Sequence, residues 1–270
     1  MEARITDHYS QRGRLADRLL ALGRDRKEGE GALRAADLSP FDQFHTRGRH
    51  GTAALLDLLA PRRGDLLLDV GCGIGGPARH IAEASGARVV GVDLTESYCR
   101  DAAAVTAAVE LQERPTFVCA DATRLPFPDG CFDAVVTQHA AMNIPDKPAL
   151  YRAIAAALRP GGRFAMHDIV GGPAGEPVYP TPWASTAAAS FLLPAAEIRA
   201  LLAAAGLREL AWRDMTAEVG AATRRPEDGR SAPSGPGALL GPDFAVMSAN
   251  LARNVAEGRV EVVMALFEKG

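Results

Sequence analysis

An excess of charge of either sign is missing from the 270-residue chain. Its 30 Lys and Arg stand against 33 Asp and Glu, for a formal net charge of −3, and no long Lys/Arg run stands out. The basic patch on which nucleic acid binding rests is therefore absent. No apolar run reaches the roughly 20 residues of a bilayer span, and the start of the chain has no signal-like pattern, so a cytoplasmic protein without a membrane partner is expected. The four cysteines, Cys72, Cys99, Cys119 and Cys131, are scattered without metal-ligand spacing. A zinc site is thus not expected, and the thiols read as reduced and buried. No serine lies in a G-x-S-x-G elbow, which argues against a hydrolase triad of that kind.

What is present begins with apolar residues, 47% of the chain and enough for a sizeable core. The stretch 66–76, LLLDVGCGIGG, reads as a buried strand, ended by Asp69, running into a glycine turn. A helix follows from about Pro77. A turn without side chains lets a ligand press on backbone N–H groups and on a helix N-terminus. Gly71, Gly73 and Gly76 have the GxGxxG spacing, and Asp93 lies where a dinucleotide site places its ribose-binding acid. A nicotinamide cofactor is therefore open at this point.

Further strands are predicted at 89–93 (VVGVD), 117–121 (FVCAD), 132–137 (FDAVVT), 163–170 (RFAMHDIV), 207–216 and 259–268. Helices are expected at 51–59, 96–111, 148–158, 194–205 and 244–256. The alternation predicts an α/β, Rossmann-like, doubly wound and mostly parallel sheet of seven strands, with ligands outside the carboxyl ends of the strands. Residues 1–50 read as an N-terminal helical flap, with Leu15, Leu19 and Leu22 at helical spacing and an exposed loop over 24–31. Residues 51–270 read as one domain with cap insertions at about 171–193 and 217–257, the second having a low-complexity centre expected to be mobile.

Four segments in order, DVGCGIGG (69–76), VDLT (92–95), ADATRLPFPDGCFD (120–133) and LRPGG (158–162), resemble the class I S-adenosylmethionine (SAM) methyltransferases, whose first motif reads D-x-G-x-G-x-G. The resemblance covers about 65–170. GCGIGGPARHIA, QHAAMNI and YPTPWA are similar to small-molecule members: tocopherol, sarcosine/dimethylglycine and natural-product methyltransferases. It implies a sheet closed by an antiparallel C-terminal strand and SAM as cofactor, with S-adenosylhomocysteine as product. It further implies that Gly71 and Gly73 line the cofactor, that Asp69 lies near its methionine end, that Leu94 and Ala122 flank adenine, and that Gln138 contacts methionine or ribose. Physical chemistry agrees at two points. An acid at Asp93 can accept from both ribose hydroxyls, and one at Asp121 can accept from the adenine amine. Tyr98 and Phe44 are further candidates for the cofactor wall, and His45 lies beside Phe44. A nicotinamide site gives no role to Asp121 or to the segments after it.

Methyl transfer asks the protein to exclude water, to align the nucleophile and, for a protonated acceptor, to take a proton. The candidate base is His139, just past the fourth strand. Asp168 is placed to orient it or to bind the acceptor, with His167 on the opposite face if strand alternation holds. Asn143, Tyr179, Trp183, Phe191, Phe244 and Met247 are candidates for the acceptor pocket, the aromatic residues by stacking or cation–π attraction. This set favours a hydroxyl of a natural-product-like molecule. Nitrogen or carbon acceptors, a SAM-fold binding protein without methyl transfer, and a homodimer all stay open.

Overall fold

The structure, a computed structural model, describes residues 15–27, 29–111, 113–223 and 235–270. The low-complexity centre expected to be mobile falls largely on 224–234, outside the described residues. The elements are α1 (Leu15–Arg26), α2 (Ala35–Leu38), α3 (Gly48–Leu59), β1 (Leu66–Val70), α4 (Gly76–Ser85), β2 (Arg88–Asp93), α5 (Glu96–Ala108), β3 (Thr116–Cys119), β4 (Phe132–Gln138), α6 (Lys147–Ala157), β5 (Leu158–Gly171), α7 (Ala195–Ala204), β6 (Leu207–Asp214), α8 (Thr216–Thr223), α9 (Pro236–Leu240), α10 (Asp243–Ala256) and β7 (Val260–Lys269).

The seven strands form one sheet in the order β3-β2-β1-β4-β5-β7-β6. Strands β3 to β5 pair in parallel, and β7 runs antiparallel to both β5 and β6. Strand order reverses between β1 and β4, so the crevice at their carboxyl ends is the place for a ligand. Residues that alternate along the strands feed two apolar layers. Leu67, Val136, Ala165 and Ile169 face one side with α3 and α10. Leu68, Val135, Phe164 and Met166 face the other with α6 and α7.

The N-terminal segment forms a third cluster, in which Leu15, Leu19, Leu38 and Phe41 pack on Ile74, Tyr98 and Val105. It is fastened by a buried ion pair, Arg79 to Asp42 at 2.9 Å. Gly76 permits this approach, since a Cβ there would lie 2.2 Å from the Asp42 carbonyl oxygen. Among the described residues no helix is long and apolar enough to cross a membrane.

Several expected boundaries move. Helix α1 runs to Arg26, so part of the expected 24–31 loop is helical. Strand β3 ends at Cys119, and Asp121 lies two residues beyond it. Asp69 lies within β1 rather than ending it. Strand β5 starts at Leu158, because the LRPGG stretch pairs with Phe132 across a bulge. Helices α8 and α9 occupy sequence that reads as loop. The Asp214 carboxylate accepts from the Thr216 N–H at 2.8 Å, and α8 buries Val219. Not all four thiols are buried: Cys119 is exposed, because β3 is the sheet's edge strand, and Cys131, just ahead of β4, is partly so.

Candidate active site

At the carboxyl edge of the sheet lies a cavity of about 850 Å³, within the range of small-molecule sites. Its floor is the turn after β1. Gly71, Gly73 and Gly75 all have left-handed backbones, with φ of 79°, 53° and 79°. A Cβ at Gly71 would lie 2.3 Å from the Ala140 Cβ, so this turn admits only glycine on two counts.

Asp93, at the tip of β2, accepts from the Gly73 N–H (3.0 Å) and the Thr95 N–H (2.9 Å). Burial pushes its carboxyl up, and those N–H groups oppose the shift. Each oxygen keeps a lone pair for a ligand hydroxyl. Asp121 accepts from the Thr123 N–H and hydroxyl at 2.8 and 2.7 Å. Burial pushes it up, but Thr123 and Arg124 outweigh that and hold it below the usual carboxylate range.

Of the expected cofactor residues, Phe44, Gly71, Gly73, Asp93, Leu94, Tyr98, Asp121, Ala122 and Gln138 line the cavity. Tyr98 also belongs to the N-terminal core. Asp69 does not line it and is buried in β1. Its Oδ2 has no protein partner, nor does the Gln138 Nε2 on neighbouring β4. Burial, then Asp93, pushes the Asp69 carboxyl up to about 7. An unpaired carboxylate and an unpaired amide donor on adjacent strands suit a zwitterion with one ammonium and one carboxylate. With an acid at the tip of β2 and a half-buried third acid, Asp121, the set fits SAM.

The acceptor end differs from expectation. Asp168 does not meet His139. Its carboxylate accepts from the Ala141 and Ile169 N–H groups at 3.1 and 2.9 Å and stabilises buried Lys147. Burial pushes Asp168 up to about 7, with Lys147 opposing. His167, expected on the opposite face, has its ring centroid 4.9 Å from that of His139. The cause is the backbone of His139, which has a φ of 51°. A left-handed residue breaks strand alternation and carries the ring to the face of α3.

There the two imidazoles meet Thr46 from the N-terminal segment. The Thr46 Oγ1 lies 3.1 Å from the Nε2 of each ring. His45 stands 5.6 Å from His167, centroid to centroid, with its Nδ1 on the Thr46 carbonyl. Burial first, then His167 and His45, pushes His139 well below the usual histidine value. Burial pushes His45 down to about 4. No group of three such side chains among the described residues is placed to hold a metal.

The two insertions form the roof. Trp183 from the first and Phe244 from α10 line the cavity, as does Asn143. The Asn143 amide donates to the Trp183 and Ala189 carbonyls at 2.8 and 3.1 Å, so it holds the roof in place. Tyr179, Phe191 and Met247 do not line the cavity. Tyr179 packs on the core beneath, and the Phe191 N–H donates to the Met142 carbonyl.

Residues 68–166 match the family model described as a methyltransferase domain. A 27-O-demethylrifamycin SV methyltransferase of Amycolatopsis mediterranei (strain S699) is 39% identical over 126 residues, 46% of each chain. The chain spans about half the length of the first curated relatives it matches. Among solved structures, a geranyl diphosphate C-methyltransferase from Streptomyces coelicolor A3(2) covers 100% of this chain and 98% of its own, with a TM-score of 0.73 at 17% identity. The [4+2]-cyclase SpnF covers 95% and 93%, with a TM-score of 0.63 at 22% identity. The domain match and the fold agree: residues 68–166 match a methyltransferase domain, and the whole sheet has the fold of a solved methyltransferase.

Proposed function

We propose that the protein transfers a methyl group from SAM to a hydroxyl of a small, natural-product-like molecule, with His139 as general base. The observation that carries this reading is the place of His139. It stands on the cavity wall between the glycine turn and the roof, with Nε2 engaged by Thr46 and Nδ1 left for a ligand. When bound, SAM supplies an activated methyl on a sulfonium leaving group. Gly71 and Gly73 would cradle its methionine end, with Gln138 facing the carboxylate and Asp69 buried behind the turn. Asp93 would accept from the ribose hydroxyls and Asp121 from the adenine amine, with Leu94 and Ala122 beside the ring. Trp183 and Phe244 exclude water above the acceptor.

His139 is neutral throughout the physiological range, so it accepts a proton without first losing one. Its lowered basicity makes it a weaker base than a free imidazole and places more of the rate in alignment. The acceptor named for the rifamycin relative, an oxygen, supports the hydroxyl assignment. A second reading has one observation behind it. A protein described as a [4+2]-cyclase shares the fold over nearly its whole length, so a SAM-fold protein without methyl transfer is the competing class.

The test is incubation with methyl-labelled SAM and a panel of hydroxyl, amine and activated-carbon acceptors, read by mass spectrometry. The label is expected on oxygen, and His139→Gln is expected to lose about 10²–10⁴-fold in turnover. Label on nitrogen or carbon overturns the acceptor, and unchanged turnover of the variant overturns the base. Binding of S-adenosylhomocysteine with no transfer to any acceptor favours the competing class.

A further inference from the structure

We propose that Thr46 is the positioning residue of His139. Its hydroxyl holds His139 and His167 in opposite tautomers and, in the reacting complex, leaves the His139 Nδ1 as a free lone pair. The inference rests on the reading of His139 as the base.

Thr46 Oγ1 lies 3.1 Å from both Nε2 atoms and carries one hydrogen. Both rings are neutral in their buried setting. If the hydroxyl accepted from both rings, its own hydrogen would have no acceptor among the described residues. If both rings offered lone pairs, one of them would go unmet. The satisfied arrangement has one ring donating to Thr46 and Thr46 donating to the other. The two histidines must then be protonated on different nitrogens.

Two directions of this chain exist. In one, the His167 Nε2–H donates to Thr46, Thr46 donates to the His139 Nε2, and His139 turns an N–H towards the cavity. That ring cannot take a proton. In the other, the His139 Nε2–H donates to Thr46 and Thr46 donates to the His167 Nε2. The His139 Nδ1 is then free to accept the hydroxyl proton as the oxygen–carbon bond forms and the carbon–sulfur bond breaks. The His167 Nδ1 is buried without a partner in either direction; it carries a lone pair in the first and an N–H in the second, so it does not choose between them. Catalysis through His139 selects the second direction.

Thr46 is held for this task. The His45 Nδ1–H donates to its carbonyl at 3.1 Å, and the His139 N–H donates to the His167 carbonyl at 2.8 Å. Gly51 on α3 leaves the room: a Cβ there would lie 2.8 Å from the Thr46 carbonyl oxygen and 3.2 Å from the His167 Cε1. The titratable or charged groups that face the pair are His45 and Arg47. Asp168 and Lys147 lie on the other face of the sheet. Thr46 thus takes the orienting part that a carboxylate plays beside many catalytic histidines.

The experiment is long-range ¹H–¹⁵N correlation on [¹⁵N]histidine-labelled protein saturated with S-adenosylhomocysteine, with rings assigned from His139→Gln and His167→Gln. In wild type and Thr46→Ser, His139 is expected to be protonated on Nε2 and His167 on Nδ1. In Thr46→Val this pairing is expected to be lost. The kcat of Thr46→Val should fall about 10-fold or more, part of the about 10²–10⁴-fold a base contributes, with KM little changed and with Thr46→Ser close to wild type. Protonation of both rings on the same nitrogen in wild type, the reverse pairing, or tautomers and kcat untouched in Thr46→Val overturns the proposal. Wild-type turnover in His139→Gln overturns the base reading, and with it the catalytic half. The tautomer pairing itself is judged separately by the spectra.

Discussion

The cofactor end of the cavity is assembled from neighbouring strand tips, each a few residues from its motif, whereas the acceptor end is held by contacts between Thr46 and residues 93 and 121 positions away. At the first end the Asp93 carboxylate bonds the Gly73 N–H of the adjacent turn, and a parallel sheet delivers that pairing once β1 and β2 are in register. At the second, a segment ahead of the sheet must fold back over it before the His139 Nε2 has its hydrogen-bond partner. The first is as stable as the sheet, and the second depends on how firmly the N-terminal layer is fastened. Local motifs therefore set what is bound, and tertiary packing sets what is done with it.

Breaking the cofactor end should have the largest effect. Asp93→Ala removes the proposed acceptor for two ribose hydroxyls, at about 1.5–3 kcal/mol for each bond to a charged group. S-adenosylhomocysteine should bind roughly 10²–10⁴-fold more weakly by calorimetry, with thermal stability falling much less. Next is the fastening of the flap. Arg79→Met leaves the Asp42 carboxylate buried without its counter-charge, an expected loss of about 3–5 kcal/mol in denaturant unfolding. Such a loss should disturb both ends, because Asp42 lines the cavity. Gly51→Ala sharpens the comparison. Its Cβ meets Thr46 and the histidines, so about 1–3 kcal/mol of stability should go. Turnover should drop while S-adenosylhomocysteine affinity holds.

Asp69 gives a pH test of the cofactor end. Its folded pKa is raised to about 7, against about 3.9 unfolded. The stability it contributes is complete below the unfolded value and is lost as pH rises through the folded one. Asp69→Asn should therefore gain in melting temperature over wild type as pH goes from 4 to 8, and should bind S-adenosylhomocysteine more weakly. The smallest effect is expected of Met247→Leu, under about 1.5 kcal/mol for a near-isosteric swap and none on turnover, since Met247 is off the cavity wall.

The same contrast explains what the sequence discloses. Strand, glycine turn and downstream acids are contiguous, and each needs only its neighbours, so the fold and the cofactor wall can be read from residues 66–138. Asp121 is the exception in detail: β3 ends two residues sooner than its composition suggests. His139 is legible as a candidate, but its partner is not. Alternation puts it beside Asp168, and one left-handed residue reverses the faces of the pair. Thr46 carries no motif. Arg79 could have been found, since it stands among Ala78, Ile81 and Ala82 on the buried face of α4, where a lone charge implies a buried partner. In the roof, aromatic content misleads: Tyr179 packs on the core beneath and Phe191 is off the cavity wall, whereas Trp183 and Phe244 line the cavity.

The most direct measurement is calorimetric titration of S-adenosylhomocysteine into the wild type, Asp93→Ala and Thr46→Val. Saturable one-to-one binding in the wild type, retained in Thr46→Val and lost in Asp93→Ala, is the predicted result. No saturable binding to the wild type at millimolar ligand, or undiminished binding to Asp93→Ala, would contradict a cofactor site built on these strand ends.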